Sequence, residues 1–294
     1  MNYHRKEIQT AYILLLPVIC IVALFILLPV IGALYNSFFR DVTYLPKKFI
    51  GIENFIWLLS NPDFHRALLF TLLFTCAAVV LETLLGLLFA LMLNESFKGR
   101  GYLRTIILVP WAIPTIVSAK IWNIIFNYSY GVLNYIVIST GLVPERINWL
   151  GTSSAAFAAL VIAEVWKTTP FMVLIILAGL QAIPQELYYQ ARIDGAGVFK
   201  RFFAITLIMI RPVLVIALIF RTIDSLRIFD LVYVLTGGGP GGSTRTLSML
   251  GFENYLADSF GRGSAISIAT FLVVFGITLF YIRAGKFSQS IRQK

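Results

Sequence analysis

Charge, cysteine and histidine are all scarce in this chain, and each scarcity closes off a chemistry. Only 13% of the 294 residues are Asp, Glu, Lys or Arg, about half the share of a soluble domain. The chain is 59% hydrophobic, with a mean hydropathy of +0.84, which makes it an integral membrane protein. The two cysteines, Cys20 and Cys76, fall inside apolar runs, so neither a disulfide frame nor a metal site is indicated. The two histidines, His4 and His65, are terminal or interfacial. No H-E-x-x-H, Ser/His/Asp set or cysteine cluster is present. The glycine-rich stretch GGGPGGST lacks the lysine and the preceding strand that a phosphate loop needs. Nothing supports catalysis, and no cofactor is expected in this chain.

What is present is apolar length. Six runs reach the roughly 20 residues that cross a bilayer: Ile13–Phe39, Ala67–Leu93, Thr105–Phe126, Ala155–Leu180, Leu207–Phe229 and Ile266–Ile282. In lipid each must be helical to satisfy its own backbone. Pro17, Pro29, Pro110, Pro114, Pro170 and Pro212 lie in them, so kinks are predicted. The expected fold is all-α with six transmembrane helices in a single domain over residues 1–294. His4, Arg5 and Lys6 before the first run read as a start-transfer segment rather than a cleaved signal.

The +10 net charge reads as topology and not as nucleic-acid binding. With the N-terminus in the cytoplasm, thirteen basic residues lie inside (Arg5, Lys6, Lys98, Arg100, Arg104, Arg192, Lys200, Arg201, Arg211, Arg283, Lys286, Arg292 and Lys294) against seven outside. That bias predicts a multi-pass protein of the cytoplasmic (inner) membrane with both termini in the cytoplasm. On the outer side, GIENFIWLLSNPDF is expected as a short interfacial helix anchored by Phe55, Trp57 and Phe64.

Several charges interrupt the spans: Glu82, Lys120, Glu164, Lys167, Arg221, Asp224, Arg227 and Asp230. Each is expensive at a helix centre, about 2.5–3.5 kcal/mol on the insertion scale. Residues three apart on a helix can pair: Glu164 with Lys167, Arg221 with Asp224, Asp224 with Arg227. Glu82 alone has no base so close in sequence. These charges fit either structural glue between helices or a polar cavity for a hydrated solute. A sugar needs planar polar groups for its hydroxyls and aromatic faces for its C–H surface. Lys120, Trp122, Asn123, Trp166, Lys167, Arg221, Asp224 and Phe229 supply both kinds and are the candidate solute path.

Residues 183–212, IPQELYYQARIDGAGVFKRFFAITLIMIRP, form a polar island between two apolar runs. Pro184 at the start and Glu186 in the first turn favour a helix. Gly195 permits the sharp turn after it. Ala191 and Ala196 allow close approach of a partner. Phe199, Phe202 and Phe203 offer apolar anchors beside Lys200 and Arg201. The rival reading is an interfacial amphipathic helix of the membrane itself.

The spacing of this island resembles the EAA loop of ABC-importer permeases, written Glu-Ala-Ala, three residues, Gly, nine residues, Ile-x-Leu-Pro. Ala191, Gly195, Ile205 and Leu207 match; Tyr189, Gln190 and Ile208 depart from the pattern. KGRGYLRTIILVPWAIPTIVSAKIW, WKTTPFMVLIILAGLQAIPQELY and FRTIDSLRIFDLVYVLTGGGP resemble carbohydrate-importer permeases of the maltose/trehalose/glycerol-phosphate type. The resemblance covers residues 10 to 285. It implies a type I ABC importer transmembrane domain supplying half of a sugar path by alternating access. The implied partners are a second homologous permease, an ABC ATPase dimer carrying ATP and Mg, an external solute-binding protein, the sugar substrate and membrane lipid. It implies that Glu186, Tyr189, Ala191, Asp194, Gly195, Ala196, Phe199 and Phe202 couple to the ATPase. Thr236 to Ser243 reads as the chain's most flexible segment, and the resemblance makes Gly238, Gly239, Pro240 and Gly241 a binding-protein docking edge. Ile208 in place of proline predicts a less kinked start to span five. The rival for function is an ion-coupled secondary transporter, for which inverted repeats are expected and none is seen.

Overall fold

A computed structural model describes residues 2–284, with side chains from Thr10 onward. Of the basic residues tallied above, Lys286, Arg292 and Lys294 lie outside the described residues, as do the side chains of Arg5 and Lys6. The chain divides into two compact units, one up to Phe64 together with Leu250–Ala269, the other His65–Met249 together with Thr270 onward.

In the first unit, helix α1 (Asn2–Val22) runs through a π-helical turn (Ala23–Leu27) into α2 (Leu28–Ser37). The span over Thr10–Ser37 is apolar on all sides, and none of its most apolar window is buried. Strand β1 (Phe39–Arg40) then pairs antiparallel with β2 (Lys48–Phe49), and α3 (Glu53–Ser60) follows. Asn54 explains why the turn holds. Its side chain is buried, and its Nδ2 donates to the carbonyls of Ser37 and Phe39, both at 2.9 Å. Gly261 packs so close that a Cβ there would lie 2.1 Å from the Phe39 oxygen. The Arg262 guanidinium sits 4.3 Å from the centre of the Trp57 ring. The short helix expected here is present, but Phe64, read as an interfacial anchor, is buried.

Helix α4 (Pro62–Asn94) starts where proline at N1 and Asn61 before it dictate; Asn61 Oδ1 accepts from the Asp63 amide at 2.8 Å. In the second unit the chain continues through α5 (Arg100–Ala112), α6 (Thr115–Ile125), α7 (Val132–Ser139), α8 (Ser153–Gln181), α9 (Gln185–Ile193), α10 (Val198–Arg201), a π-helical turn (Phe202–Thr206), α11 (Leu207–Leu226) and α12 (Asp230–Leu235). Helices α13 (Leu247–Leu256) and α14 (Phe260–Ala284) follow. Among the described residues, five helical stretches are long and apolar enough to span a membrane, and α5 with α6 makes a sixth if that bent pair counts as one.

In that pair the kink expected at Pro110 and Pro114 in the run Thr105–Phe126 is a full break. The two halves meet at 93°. Pro114 confines Ile113 to extended backbone (φ −74°, ψ 130°) and removes an amide donor, so α5 stops at Ala112.

Helix α8 is the hub: 67% of its most apolar window is buried. Thr152 caps it, its side chain accepting from the Ala155 amide. Without a hydrophobic drive inside lipid, spans join by close packing of small residues. A Cβ on Gly86 of α4 would lie 2.6 Å from the Met172 Cβ of α8. One on Gly179 would meet Val213 of α11 at 3.0 Å. Gly86→Leu is therefore expected to lower stability by about 1–3 kcal/mol, read as a drop in Tm in detergent. Gly32→Ala, whose new methyl meets nothing within 4 Å, serves as control. Equal melting of the two variants would remove the α4–α8 crossing from the account.

Candidate functional site

Three spans meet at one buried guanidinium. Arg221 of α11 is 3% exposed and Glu82 of α4 is 0% exposed. Arg221 Nε donates to Glu82 Oε2 at 2.6 Å. Its Nη2 donates to Glu82 Oε1 and to Glu164 Oε1 of α8, each at 2.9 Å. Thr168 Oγ1 lies 2.7 Å from Glu82 Oε1 and 2.6 Å from the Glu164 carbonyl. Below this, Ser225 Oγ donates to Thr75 Oγ1 at 3.2 Å. The rigid fork of arginine suits such a bidentate grip.

The expected helical pairs hold in part. Arg221 Nη1 is 3.6 Å from Asp224 Oδ2, and Arg227 Nη2 is 3.3 Å from Asp224 Oδ1. Glu164, however, pairs with Arg221 and not with Lys167. Among the described residues no carboxylate lies within 4 Å of Lys167, which is 9% exposed. Glu82, the acid with no base near it in sequence, takes its base from a helix 139 positions away. Helical spacing cannot show a partner brought in by tertiary packing.

Beside the cluster lies a polar cavity of about 450 Å³, walled by α5, α8 and the α11–α12 corner. It brings together Lys167, Arg221, Asp224 and Phe229 from the expected path, with Glu164, Thr168, Arg227 and Asp230. It also exposes two aromatics the sequence did not single out, Trp111 and Phe171, with ring centres 6.3 Å apart. Trp111 sits in an apolar run without a polar neighbour to mark it, whereas Phe171 follows Lys167 and Thr168 by four and three residues and shares their helical face. Trp122 and Trp166 are elsewhere. They meet edge to face at 5.7 Å and line a second, apolar cavity. Asn123 Nδ2 donates to the Leu235 carbonyl at 3.4 Å, tying α6 to α12. Lys120 is exposed and lines neither cavity.

The island at 183–212 folds as an exposed helix pair. Pro184 precedes α9, with Glu186 in its first turn. The Ala196 amide donates to the Ala191 carbonyl at 2.8 Å around Gly195, whose φ of +74° is the left-handed region. Tyr189 (60% exposed), Ile193 (86%) and Phe199 (82%) point away from the protein, with Asp194 and Ala196 at the turn. Phe202 packs edge-on against Phe203, ring centres 5.0 Å apart. Tyr188 Oη and Thr206 Oγ1, 2.9 Å apart, lash α9 to the π-helical turn. That turn makes the entry to α11 irregular, although Ile208 removes the proline expected to kink it.

The glycine-rich segment is more tightly tied than an open loop tip. Thr244 is fully buried and its Oγ1 donates to the Gly239 carbonyl at 2.7 Å. Its amide donates to the Gly238 carbonyl at 3.1 Å, and the Gly238 amide donates to Thr236 Oγ1 at 3.3 Å. Gly237, Gly238, Gly241 and Gly242 all have positive φ, so the repeat encodes a double turn. Gly239, Pro240 and Gly241 form its rim, and the most flexible segment expected here is a hydrogen-bonded knot.

Apolar spans, a polar cavity flanked by buried ion pairs and an exposed helix pair between two spans define a membrane permease. The chain belongs to the family described as the binding-protein-dependent transport system inner membrane component, whose model matches residues 82–293. It is 53% identical to the trehalose/maltose transport system permease MalF of Thermococcus litoralis, over 96% of this chain and 95% of that one. It is 41% identical to the sulfoquinovosyl glycerol permease SmoG of Agrobacterium fabrum (93% and 89%) and 37% identical to the trehalose permease SugA of Mycobacterium tuberculosis (94% and 89%). Among solved structures it resembles a chain of a bacterial ABC transporter that imports the acidic polysaccharide alginate. The TM-score is 0.84 and the identity 25%, over 96% of both chains. The fold is therefore that of an ABC-importer transmembrane domain, and the chain is a transport subunit, not an enzyme.

Replacing Arg221 tests the cluster. Arg221→Met leaves two carboxylates buried without their cation, a change worth about 3–5 kcal/mol, and is expected to lower the yield of folded protein and its Tm. Adding Glu82→Gln should restore part of the loss. A single variant as stable as the parent would show that the ion cluster does not hold the three spans.

Proposed function

We propose that this chain is one of two homologous permease subunits of an ATP-driven, binding-protein-dependent sugar importer, with an α-glucoside such as trehalose or maltose as its solute. The observation that carries this reading is the polar cavity, which offers carboxylates, guanidinium groups and an ammonium beside the faces of Trp111, Phe171 and Phe229. Its acidic side chains, Glu164, Asp224 and Asp230, balance Lys167, Arg221 and Arg227. A phosphate or sulfonate finds no surplus of positive charge there, which favours a neutral polyol over glycerol phosphate. The 53% identity to a trehalose/maltose permease points the same way. Coupled buried charges without inverted repeats weigh against an ion-coupled secondary transporter.

In this reading both termini and the helix pair face the cytoplasm, residues 1–294 act as one permease domain, and Tyr189, Ile193 and Phe199 seat in a groove of the partner ATPase. ATP and Mg are bound there and not in this chain. The rim at Gly239 to Gly241 meets the external binding protein.

Two measurements test it. ATPase activity of the reconstituted complex with its binding protein is expected to rise with trehalose or maltose and not with glycerol phosphate; a flat response across the sugars sinks the carbohydrate assignment. Gly195→Arg forces a side chain into left-handed backbone at the turn and is expected to abolish uptake while membrane insertion persists. Normal uptake would mean the helix pair is not the coupling element.

A further inference from the structure

Helix α8 turns Glu164, Lys167, Thr168 and Phe171 toward the polar cavity, at a spacing that puts them on one helical face. Three of them have partners within the chain. Glu164 Oε1 accepts from Arg221 Nη2 at 2.9 Å, the Thr168 hydroxyl is held between Glu82 and the Glu164 carbonyl, and the Phe171 ring lies 6.3 Å from that of Trp111. Lys167 has no such partner. It is buried, and among the described residues its ammonium has neither a hydrogen-bond acceptor nor a carboxylate in reach. Trp122 Nε1 and Thr169 Oγ1 are also unpaired, but they are sealed from solvent; Lys167 Nζ is not among the sealed atoms, so it opens on the cavity that its side chain lines.

A buried ammonium is costly without an acceptor. The chain supplies none, so the contents of the cavity must. Asp230, on the opposite wall, is different: it is exposed, and water satisfies it. Lys167 is therefore the group whose free energy changes most with what fills the cavity.

The rest of the lining narrows the acceptor. A cationic group placed at Lys167 is repelled by it. An anionic group gains there but meets Glu164, Asp224 and Asp230 in the same volume of about 450 Å³. A neutral oxygen, whether hydroxyl, ring or glycosidic, accepts from the ammonium and meets neither repulsion. We infer that Lys167 is the specificity-determining residue of the polar cavity: it admits a solute that sets a neutral oxygen acceptor against the ammonium and rejects one that carries an amine at that position. The inference rests on the α-glucoside reading above and names the group that reads that solute.

Ligand-observed NMR on the purified complex in nanodiscs, with the binding protein left out, reports solute binding at the permeases themselves. The probes are trehalose, maltose and the mono-amino analogues of trehalose, at a mildly acidic pH that keeps the amine protonated. Trehalose is expected to bind the parent, and at least one amino analogue to bind about tenfold more weakly, the order of one charge-assisted hydrogen bond. Lys167→Met should weaken trehalose by a similar factor and bring that analogue level with it. Lys167→Gln, which keeps a neutral donor, should recover part of the trehalose affinity and still tolerate the amine. The ratio of two solutes in one preparation does not move with the yield or stability of the protein, so a merely structural lysine leaves it at the parent value. An unchanged ratio in both variants, or equal binding of trehalose and every amino analogue by the parent, overturns the inference and leaves the sugar reading standing. Binding of neither sugar to the parent overturns the α-glucoside reading and this inference with it.

Discussion

The second unit is organised around one guanidinium shared by two carboxylates. Arg221 holds Glu82 and Glu164 at 2.6–2.9 Å in a setting with almost no solvent. In such a setting a charge is tolerable only with its partners in place. The grip fixes α4, α8 and α11 to one another at a single depth, and the polar cavity opens beside it. Without the ions, the glycine crossings and the Ser225–Thr75 hydrogen bond would be left to orient three largely apolar cylinders. The close crossings at Gly86 and Gly179 set how near the helices come; the ion cluster adds a directional contact to the same choice of faces.

The buried charges divide into two groups. Arg221, Glu82 and Glu164 bind mainly one another. Lys167, Asp224, Arg227 and Asp230 line the open volume, and among the described residues no carboxylate lies within 4 Å of Lys167. A site built this way has a stiff back wall and a more yielding front, where Asp224 and Arg227 are exposed. Such a division suits a solute that must be held briefly and released.

Much of the fold was legible because hydropathy and helix punctuation report it directly. Five spans lie where the apolar runs lie, and α9 begins at Pro184 and turns at Gly195 as the residues dictate. In the third run Pro114 announced a kink, but a proline in an apolar run does not say that the kink is a right-angle break. The site was half legible. Charges within spans stand out, so Lys167, Arg221 and Asp224 were found. Trp111 could not be found, since an aromatic in an apolar run looks the same whether it faces lipid, core or cavity; Phe171 was within reach, four residues after Lys167 on one helical face. Trp122 and Trp166 were grouped with the charges for their chemistry, but Trp166 projects from another side of α8 and Trp122 of α6 joins it on another wall. Four glycines and a proline looked like slack, yet Thr236 and Thr244 tie that stretch into a double turn.

The π-helical turn at Phe202–Thr206 sets how the exposed helix pair meets its span. Its backbone rings hold one residue more than those of the helix that follows. The residues before it therefore leave the helical phase of α11, and α9–α10 leaves the span in a direction that an uninterrupted helix would not give. The Tyr188–Thr206 contact ties α9 to that irregular turn and not to the regular helix beyond it.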